Sequence, residues 1–240
     1  MTPGDRDRVV VLIRHGHTDW NLTHRLTGWT DIPLSRVGLD EAAQAGRQLA
    51  AAGFGIDEVH VSLLRRTRQT ADAMLAAMGA MGAAPATPIH ATWRLNERHY
   101  GALQGMTRPE IQARWGEEQS RRWWRGYLDP PPALEPDDPR HPRLDPLCAG
   151  LDPSQVPATE SLRDCQVRTL PHWHEVLCPR IAAGRRLLVV SHGNTMRGLV
   201  MHLDGISAEA MESVEIPSGV PLIYRLGPDL RVLGREWLGL

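Results

Sequence analysis

Lysine is absent from this 240-residue sequence: all 27 basic residues are arginine. That excludes a Schiff-base lysine and a Walker-type phosphate-binding lysine, so any anion site must use guanidinium forks or backbone N–H groups. Aromatic residues make up only 5% of the chain, as eight tryptophans, three tyrosines and one phenylalanine. Trp93, Trp115, Trp123, Trp124 and Trp173 are expected in core or lid packing rather than as ligand platforms. The three cysteines, Cys148, Cys165 and Cys178, form no Cys-x-x-Cys and no metal-ligand spacing, which points to reduced thiols. No apolar run approaches the roughly 18 residues that span a bilayer, and Val9 to Ile13 is too short for the core of a secretory signal. Charge of one sign is also missing: the net charge is -1, with no block of like residues, which argues against a nucleic-acid or membrane-surface partner. A cytoplasmic protein acting on a small molecule is the expectation.

The order of elements follows from apolar pattern and punctuation. Arg8 to Ile13 reads as a buried strand running into a loop, Ser35 to Ala52 as a helix stopping at Gly53, and Asp57 to Val61 as the next strand. Ser62 looks like the N-cap of an arginine-rich helix through Met78, with a weak strand near Pro88 to Thr92. Later come a helix from Leu162 to Ala183 with a kink at Pro171, a strand at Arg186 to Val190, a helix at Asn194 to Leu203, and strands near Pro221 to Leu226 and Asp229 to Trp237. This alternation predicts an α/β fold, a mostly parallel sheet covered by helices on both faces, with ligands outside the carboxyl ends of its strands. Residues 130–157 hold nine prolines and no regular pattern, which suggests an ordered insertion over an active site within one catalytic domain spanning 1–240.

Two strands end in the same grammar. Arg14-His15-Gly16-His17-Thr18-Asp19-Trp20-Asn21 follows the first, and Ser191-His192-Gly193-Asn194 follows a later one and opens a helix. A neutral imidazole at such a turn can attack a phosphoryl group. Gly16 lets backbone N–H groups approach it, and Arg14 and Asn21 supply donors. His192, at a helix N-terminus, can donate to a transferring phosphoryl oxygen alongside free N–H groups. In Ser62-Leu-Leu-Arg65-Arg66-Thr67, Arg66 is the candidate for the phosphate pocket, while Arg65 and Arg68 read as solvated helix residues.

These residues, with Leu26-Thr-Gly-Trp29, the string Leu95-Asn-Glu-Arg-His-Tyr-Gly-Ala-Leu-Gln-Gly105, Trp124-Arg125-Gly126, Thr159-Glu-Ser-Leu162 and Ile216-Pro-Ser-Gly-Val-Pro-Leu222, resemble the histidine phosphatase superfamily. The resemblance is to its 2,3-bisphosphoglycerate-dependent phosphoglycerate mutases and covers nearly the whole chain. It implies a phosphoglycerate mutase-like fold with a helical and proline-rich insertion at about 107–160. It further implies that His15 is the phosphorylated nucleophile, that Arg14, Arg66 and His192 bind the phosphoryl group, and that Glu97 is the general acid and base. Arg98, Tyr100, Arg108 and Arg125 would hold the carboxylate and second phosphate, with Asn21, Thr27, Gly28, Gly193 and Asn194 nearby. The implied primer is 2,3-bisphosphoglycerate, with no metal; a homodimer or homotetramer would fit the family.

Three positions depart from that pattern. His17 stands where glutamate is usual, and Trp124 stands where an arginine commonly precedes Arg125, a contact that Arg121 or Arg122 could replace. The chain also ends at Leu240 without the tail that many of these mutases carry over the site, which would leave phosphohistidine more open to water. Rival readings are a metal-independent phosphomonoesterase on the same scaffold, a metal-dependent hydrolase starting from His15-Gly-His17-Thr-Asp19, and a non-catalytic binding protein.

Overall fold

A computed structural model describes residues 8–82 and 87–240. Strand β1 (Arg8–Arg14) is followed by the short helix α1 (Asp19–Leu22), α2 (Arg36–Ala51), β2 (Glu58–Val61), α3 (Arg65–Ala80) and β3 (Ile89–Ala91). Helices α4 (Arg108–Trp115) and α5 (Glu117–Arg125) open the insertion. The chain then resumes with α6 (Leu162–His172), α7 (Cys178–Ala182), β4 (Leu187–Ser191), α8 (Gly193–Asp204), α9 (Ala208–Met211), β5 (Pro221–Leu226) and β6 (Val232–Trp237).

The sheet order is β3-β2-β4-β1-β5-β6, parallel through the first four strands and antiparallel for the last two. Side chains alternate between two apolar layers, as expected of a strand covered on both faces. Val10 and Leu12 pack with Leu177, Met196 and Leu199, whereas Val11 and Ile13 pack with Ala45, Leu49 and Met74. The pairing Arg14↔Ser191 brings the carboxyl ends of β1 and β4 side by side, and His15 N–H bonds the Ser191 carbonyl at 3.0 Å. The end of β2 lies next to β4, so three strand ends share one edge.

Three expectations change. The helix after β2 starts at Arg65 with Leu64 as an N-cap lacking a side-chain bond, so Ser62 does not cap it. The kink at Pro171 is a π-turn from Trp173 to Leu177 between α6 and α7: without an N–H, proline leaves the ladder incomplete and the register slips. The last strand begins at Val232, after a turn closed by Gly227 N–H to the Arg231 carbonyl.

Within the insertion, the prolines make short 3₁₀ turns at Pro142–Leu144, Pro146–Cys148 and Pro153–Gln155, each with proline at its start and a side-chain cap from His141, Asp145 or Asp152. Proline-rich loops lie over the candidate site region, tied to it by Ala102 N–H to the Pro132 carbonyl (2.8 Å) and Glu160 N–H to the His99 carbonyl (2.8 Å). No helix among the described residues is long and apolar enough to cross a membrane. The three cysteines are free, and burial pushes the thiols of Cys148 and Cys165 up to about 11 and about 12.

Candidate active site

His15 follows β1 directly. Its Nδ1 lies 2.7 Å from the Gly16 carbonyl, an acceptor, so this nitrogen carries the proton and Nε2 keeps its lone pair. Arg66 Nε donates to that Nε2 at 3.2 Å and to His192 Nδ1 at 3.2 Å. His192 Nε2, the remaining nitrogen, lies 2.8 Å from Ser62 Oγ. The two rings stand edge to face at 5.0 Å. Burial, and then the Arg66 charge, holds both imidazoles well below the usual histidine range, so both are neutral near pH 7. Arg66 is itself fully buried, with its other N–H groups on the carbonyls of Gly28 (2.7 Å) and Thr30 (3.0 Å). Burial brings it down to about 10, which still leaves it cationic at neutral pH.

Glu97 faces the histidines from the loop after β3. Its Oε1 accepts the backbone N–H groups of Arg98 (2.8 Å) and Asn194 (3.1 Å), so the carboxylate sits at the positive end of α8. The Glu97 carbonyl accepts Trp29 Nε1 at 2.5 Å and Arg168 at 2.9 Å. Behind this loop Arg168 pairs with buried Glu160 at 2.6 Å. Asn194 Nδ2 donates to the Tyr100 hydroxyl (2.7 Å), and Arg197 holds Asn194 Oδ1 (3.1 Å).

A cleft of about 340 Å³ opens over these groups. It is lined by His15, Arg14, Arg66 and Glu97, by Asn21, Thr27 and Gly28, and by Tyr100, Arg108 and Arg125. Gly193 and Asn194 line a smaller adjoining cleft. Two expected residues line neither cleft: His192 is fully buried against Arg66, and Arg98 is fully buried with its guanidinium over the Tyr100 ring at 4.7 Å. Five arginines line the main cleft against the carboxylates Glu97 and Glu215, a balance suited to a polyanion.

Several readings need correction. Gly16 N–H is not free for an anion; it donates to Thr70 Oγ1 at 3.2 Å. Glycine is required there because a Cβ would lie 2.2 Å from the Gly38 carbonyl of α2. The Asn194 N–H, the second of α8, is taken by Glu97, and His192 presents a lone pair, not a proton, to Arg66. Neither Arg121 nor Arg122 replaces an arginine at position 124: they pair with Glu212 and Asp129. Trp124 instead lies under the Arg108 guanidinium at 5.3 Å. His17 pairs with Glu41 at 2.7 Å and Asp19 is exposed, so these two do not converge. Among the described residues no group of three or more histidine, cysteine or acidic side chains is placed to hold a metal.

Sequence reasoning missed Ser62, Trp29, Arg197 and Glu215. Arg197 was within reach, three residues after Asn194 and so on the same helix face; Trp29 and Ser62 lie in the motifs Leu26-Thr-Gly-Trp29 and Ser62-Leu-Leu-Arg65-Arg66-Thr67, which do not show what either side chain holds, and nothing local marks Glu215. Arg14 Nε, Thr27 Oγ1 and all three nitrogens of Arg98 have no protein partner. Of these, Arg14 and Thr27 line the main cleft, where an anionic ligand would meet their unpartnered donors.

Comparison with known proteins gives the same direction. The sequence profile described as histidine phosphatase superfamily (branch 1) matches residues 10–226. The chain is similar to the 2,3-bisphosphoglycerate-dependent phosphoglycerate mutase of Nitratidesulfovibrio vulgaris (strain DSM 19637 / Miyazaki F), 48% identical over 96% of this chain and 91% of that protein. Among solved structures, mycobacterial glucosyl-3-phosphoglycerate phosphatase complexed with VO3 aligns with a TM-score of 0.70 at 22% identity, covering 95% of this chain and 97% of that one. Bacillus stearothermophilus YhfR aligns at 0.69 with 22% identity, covering 93% of both chains. At that identity the structures speak to the fold alone.

Proposed function

This chain belongs to the histidine phosphatase superfamily, branch 1, and from that premise we propose that it is a 2,3-bisphosphoglycerate-dependent phosphoglycerate mutase, interconverting 3-phosphoglycerate and 2-phosphoglycerate in the cytoplasm. The observation that carries this reading is the 48% identity, over 96% of the chain, to a protein of that activity.

The residues divide the work as follows. His15 Nε2 is the nucleophile, kept neutral by burial and Arg66 and held in one tautomer by the Gly16 carbonyl. Arg14 and Arg66 neutralise the phosphoryl oxygens, and His192 fixes Arg66 Nε from the far side. Glu97 takes the proton from the substrate hydroxyl as its oxygen attacks phosphorus. The P–Nε2 bond breaks and its electron pair returns to the imidazole. In the reverse direction Glu97 returns the proton. The second phosphate and the carboxylate fall to Tyr100, Arg108 and Arg125, with Arg98 buried against the Tyr100 ring and Asn21, Thr27, Gly28, Gly193 and Asn194 completing the walls. The phosphoryl group that primes His15 comes from 2,3-bisphosphoglycerate, which the unpartnered donors of Arg14 and Thr27 in the cleft would hold. Residues 107–160 act as the substrate-covering part of a single catalytic domain.

The test is conversion of 3-phosphoglycerate to 2-phosphoglycerate in chelator, with and without catalytic 2,3-bisphosphoglycerate, with free phosphate followed in parallel. The expected result is bisphosphate-dependent isomerisation with little phosphate release. Phosphate release without isomerisation would overturn the mutase reading in favour of a phosphatase.

A further inference from the structure

Arg125 is assigned above to the substrate, yet in this structure its guanidinium is already engaged: NH2 donates to Glu215 Oε1. Both residues line the main cleft and the adjoining one, and His15 lines only the first. A carboxylate therefore occupies an arginine that belongs to the main cleft and also reaches the adjoining one, where His15 does not. Its position is built rather than accidental. Arg197 donates to the Arg125 carbonyl at 3.2 Å and to the Met211 carbonyl at 2.6 Å, joining the end of α5 to the end of α9. On the other side of Glu215, the Ile216 carbonyl accepts Arg14 NH1 at 2.9 Å, and Gly219 N–H bonds the Arg14 carbonyl at 3.0 Å. A second ion pair, Arg121 with Glu212, forms an outer rung between the same two segments.

We propose that Glu215 is a specificity-determining residue whose carboxylate holds Arg125 in place of a ligand anion and yields it only to a substrate bearing a negative group beyond the transferable phosphate. The proposal rests on the mutase reading and adds to it a selection step. Exposure decides which partner gives way: the Glu215 side chain is 71% exposed and that of Arg125 only 25%. The carboxylate can swing into water at little cost, while the guanidinium stays against the cleft. Glu97 contrasts with it, being buried and fixed by two backbone N–H groups. The Arg197 bridges hold the backbone without the exposed outer rung, so only the Glu215 side chain needs to move. Inorganic phosphate at His15 has no group to offer Arg125 and leaves the pair closed.

The experiment is steady-state isomerisation by wild type, Glu215→Gln, Glu212→Gln, Arg125→Ala and the Arg125→Ala/Glu215→Gln double variant, with inorganic phosphate as a competitor. Glu215→Gln is expected to lower KM for 3-phosphoglycerate roughly fivefold, the scale of a half-exposed ion pair, with kcat within twofold. It should change inhibition by inorganic phosphate less than twofold. Glu212→Gln is expected to leave both constants unchanged, and the Glu215→Gln gain should vanish in the Arg125→Ala background. An unchanged or raised KM in Glu215→Gln overturns the proposal, since a residue that merely positions Arg125 would weaken binding when altered. A wild-type protein that does not isomerise overturns the mutase reading itself, and the proposal falls with it.

Discussion

The chemistry of His15 is set by which nitrogen is free. The Gly16 carbonyl can only accept, so Nδ1 keeps the proton and Nε2 faces Arg66 and the cleft. Because burial and Arg66 lower the His15 pKa well below its usual value, the ring stays neutral, and nucleophilic, at pH values where an exposed histidine is protonated. NMR of protein labelled with ¹⁵N-histidine should show His15 at pH 6 with a protonated Nδ1 and an unprotonated Nε2; a doubly protonated ring would contradict this tautomer. Ser62 is the second residue on which this tautomer logic rests. Its Oγ lies 2.8 Å from both His192 Nε2 and Thr67 Oγ1, and it accepts Leu64 N–H at 3.1 Å. Ser62→Ala strands the buried His192 Nε2–H, and we expect kcat to fall about 10- to 100-fold through misplacement of His192 and Arg66. Wild-type turnover in that variant would release Ser62 from the site. In the sequence the same serine looked like a helix cap, because a hydroxyl before an arginine-rich helix satisfies the local rule; the partner that claims it is 130 positions away.

At the scale of elements, the site depends on α6 holding the loop that carries Glu97. Arg168 of α6 donates to the carbonyls of Arg94 (3.0 Å), Asn96 (3.0 Å) and Glu97 (2.9 Å) while paired with Glu160. Glu160 is 3% exposed, so Glu160→Gln leaves a buried guanidinium without its counter-charge, which costs about 3–5 kcal/mol. Urea unfolding should show this as a large drop in midpoint, and turnover at low urea should fall as Glu97 loses its backing. A loss below about 1 kcal/mol would mean that the loop is held by other contacts. The string Thr159-Glu-Ser-Leu162 was visible in the sequence as a mark of kinship, but its task was not. A capping box at Ser161 and Asp164 explains the start of α6 locally, whereas the Glu160 bond to Arg168 crosses onto the helix and then to a loop some 70 residues earlier. Element types and order were legible because strands such as Leu187–Ser191 are apolar up to their last residue and helices such as Arg36–Ala51 carry a clear stripe. Boundaries at Leu64 and Trp173 were not, since tertiary partners and a missing proline N–H decide them.

For the whole molecule, six histidines are buried among the described residues: His15, His60, His99, His141, His172 and His192. Sequence alone could assign roles to the two beside glycine at strand ends; the others gave no signal, because burial is a property of the assembled layers. Burial, with repulsion from His172 and His90, holds His60 down to about 3; burial, with His141 and Arg168, does the same to His99. Burial, with Arg94 and Arg180, holds His172 down to about 4. The sign of the consequence is fixed by linkage. Each group has a folded pKa below its unfolded value of about 6.5, so its contribution to stability is fully present above pH 6.5 and is lost as the unfolded chain takes up protons that the folded one refuses. The loss continues as pH falls toward about 4 for His172 and about 3 for the other two. One proton per histidine gives at most about 1.4 kcal/mol per pH unit each, or about 4 kcal/mol per unit for these three together. The lowered carboxylates Asp57 and Glu58 act in the same direction, but only below about pH 4.5. Between pH 6.5 and 5 the slope therefore belongs to histidine. Urea midpoints should be level from pH 8 to 7 and then fall steadily to pH 5. A midpoint unchanged across pH 6.5 to 5 would mean that these rings gain protons in the folded protein, and with them hydrogen-bond partners that His60, whose two ring nitrogens are both unpartnered, does not have in this fold.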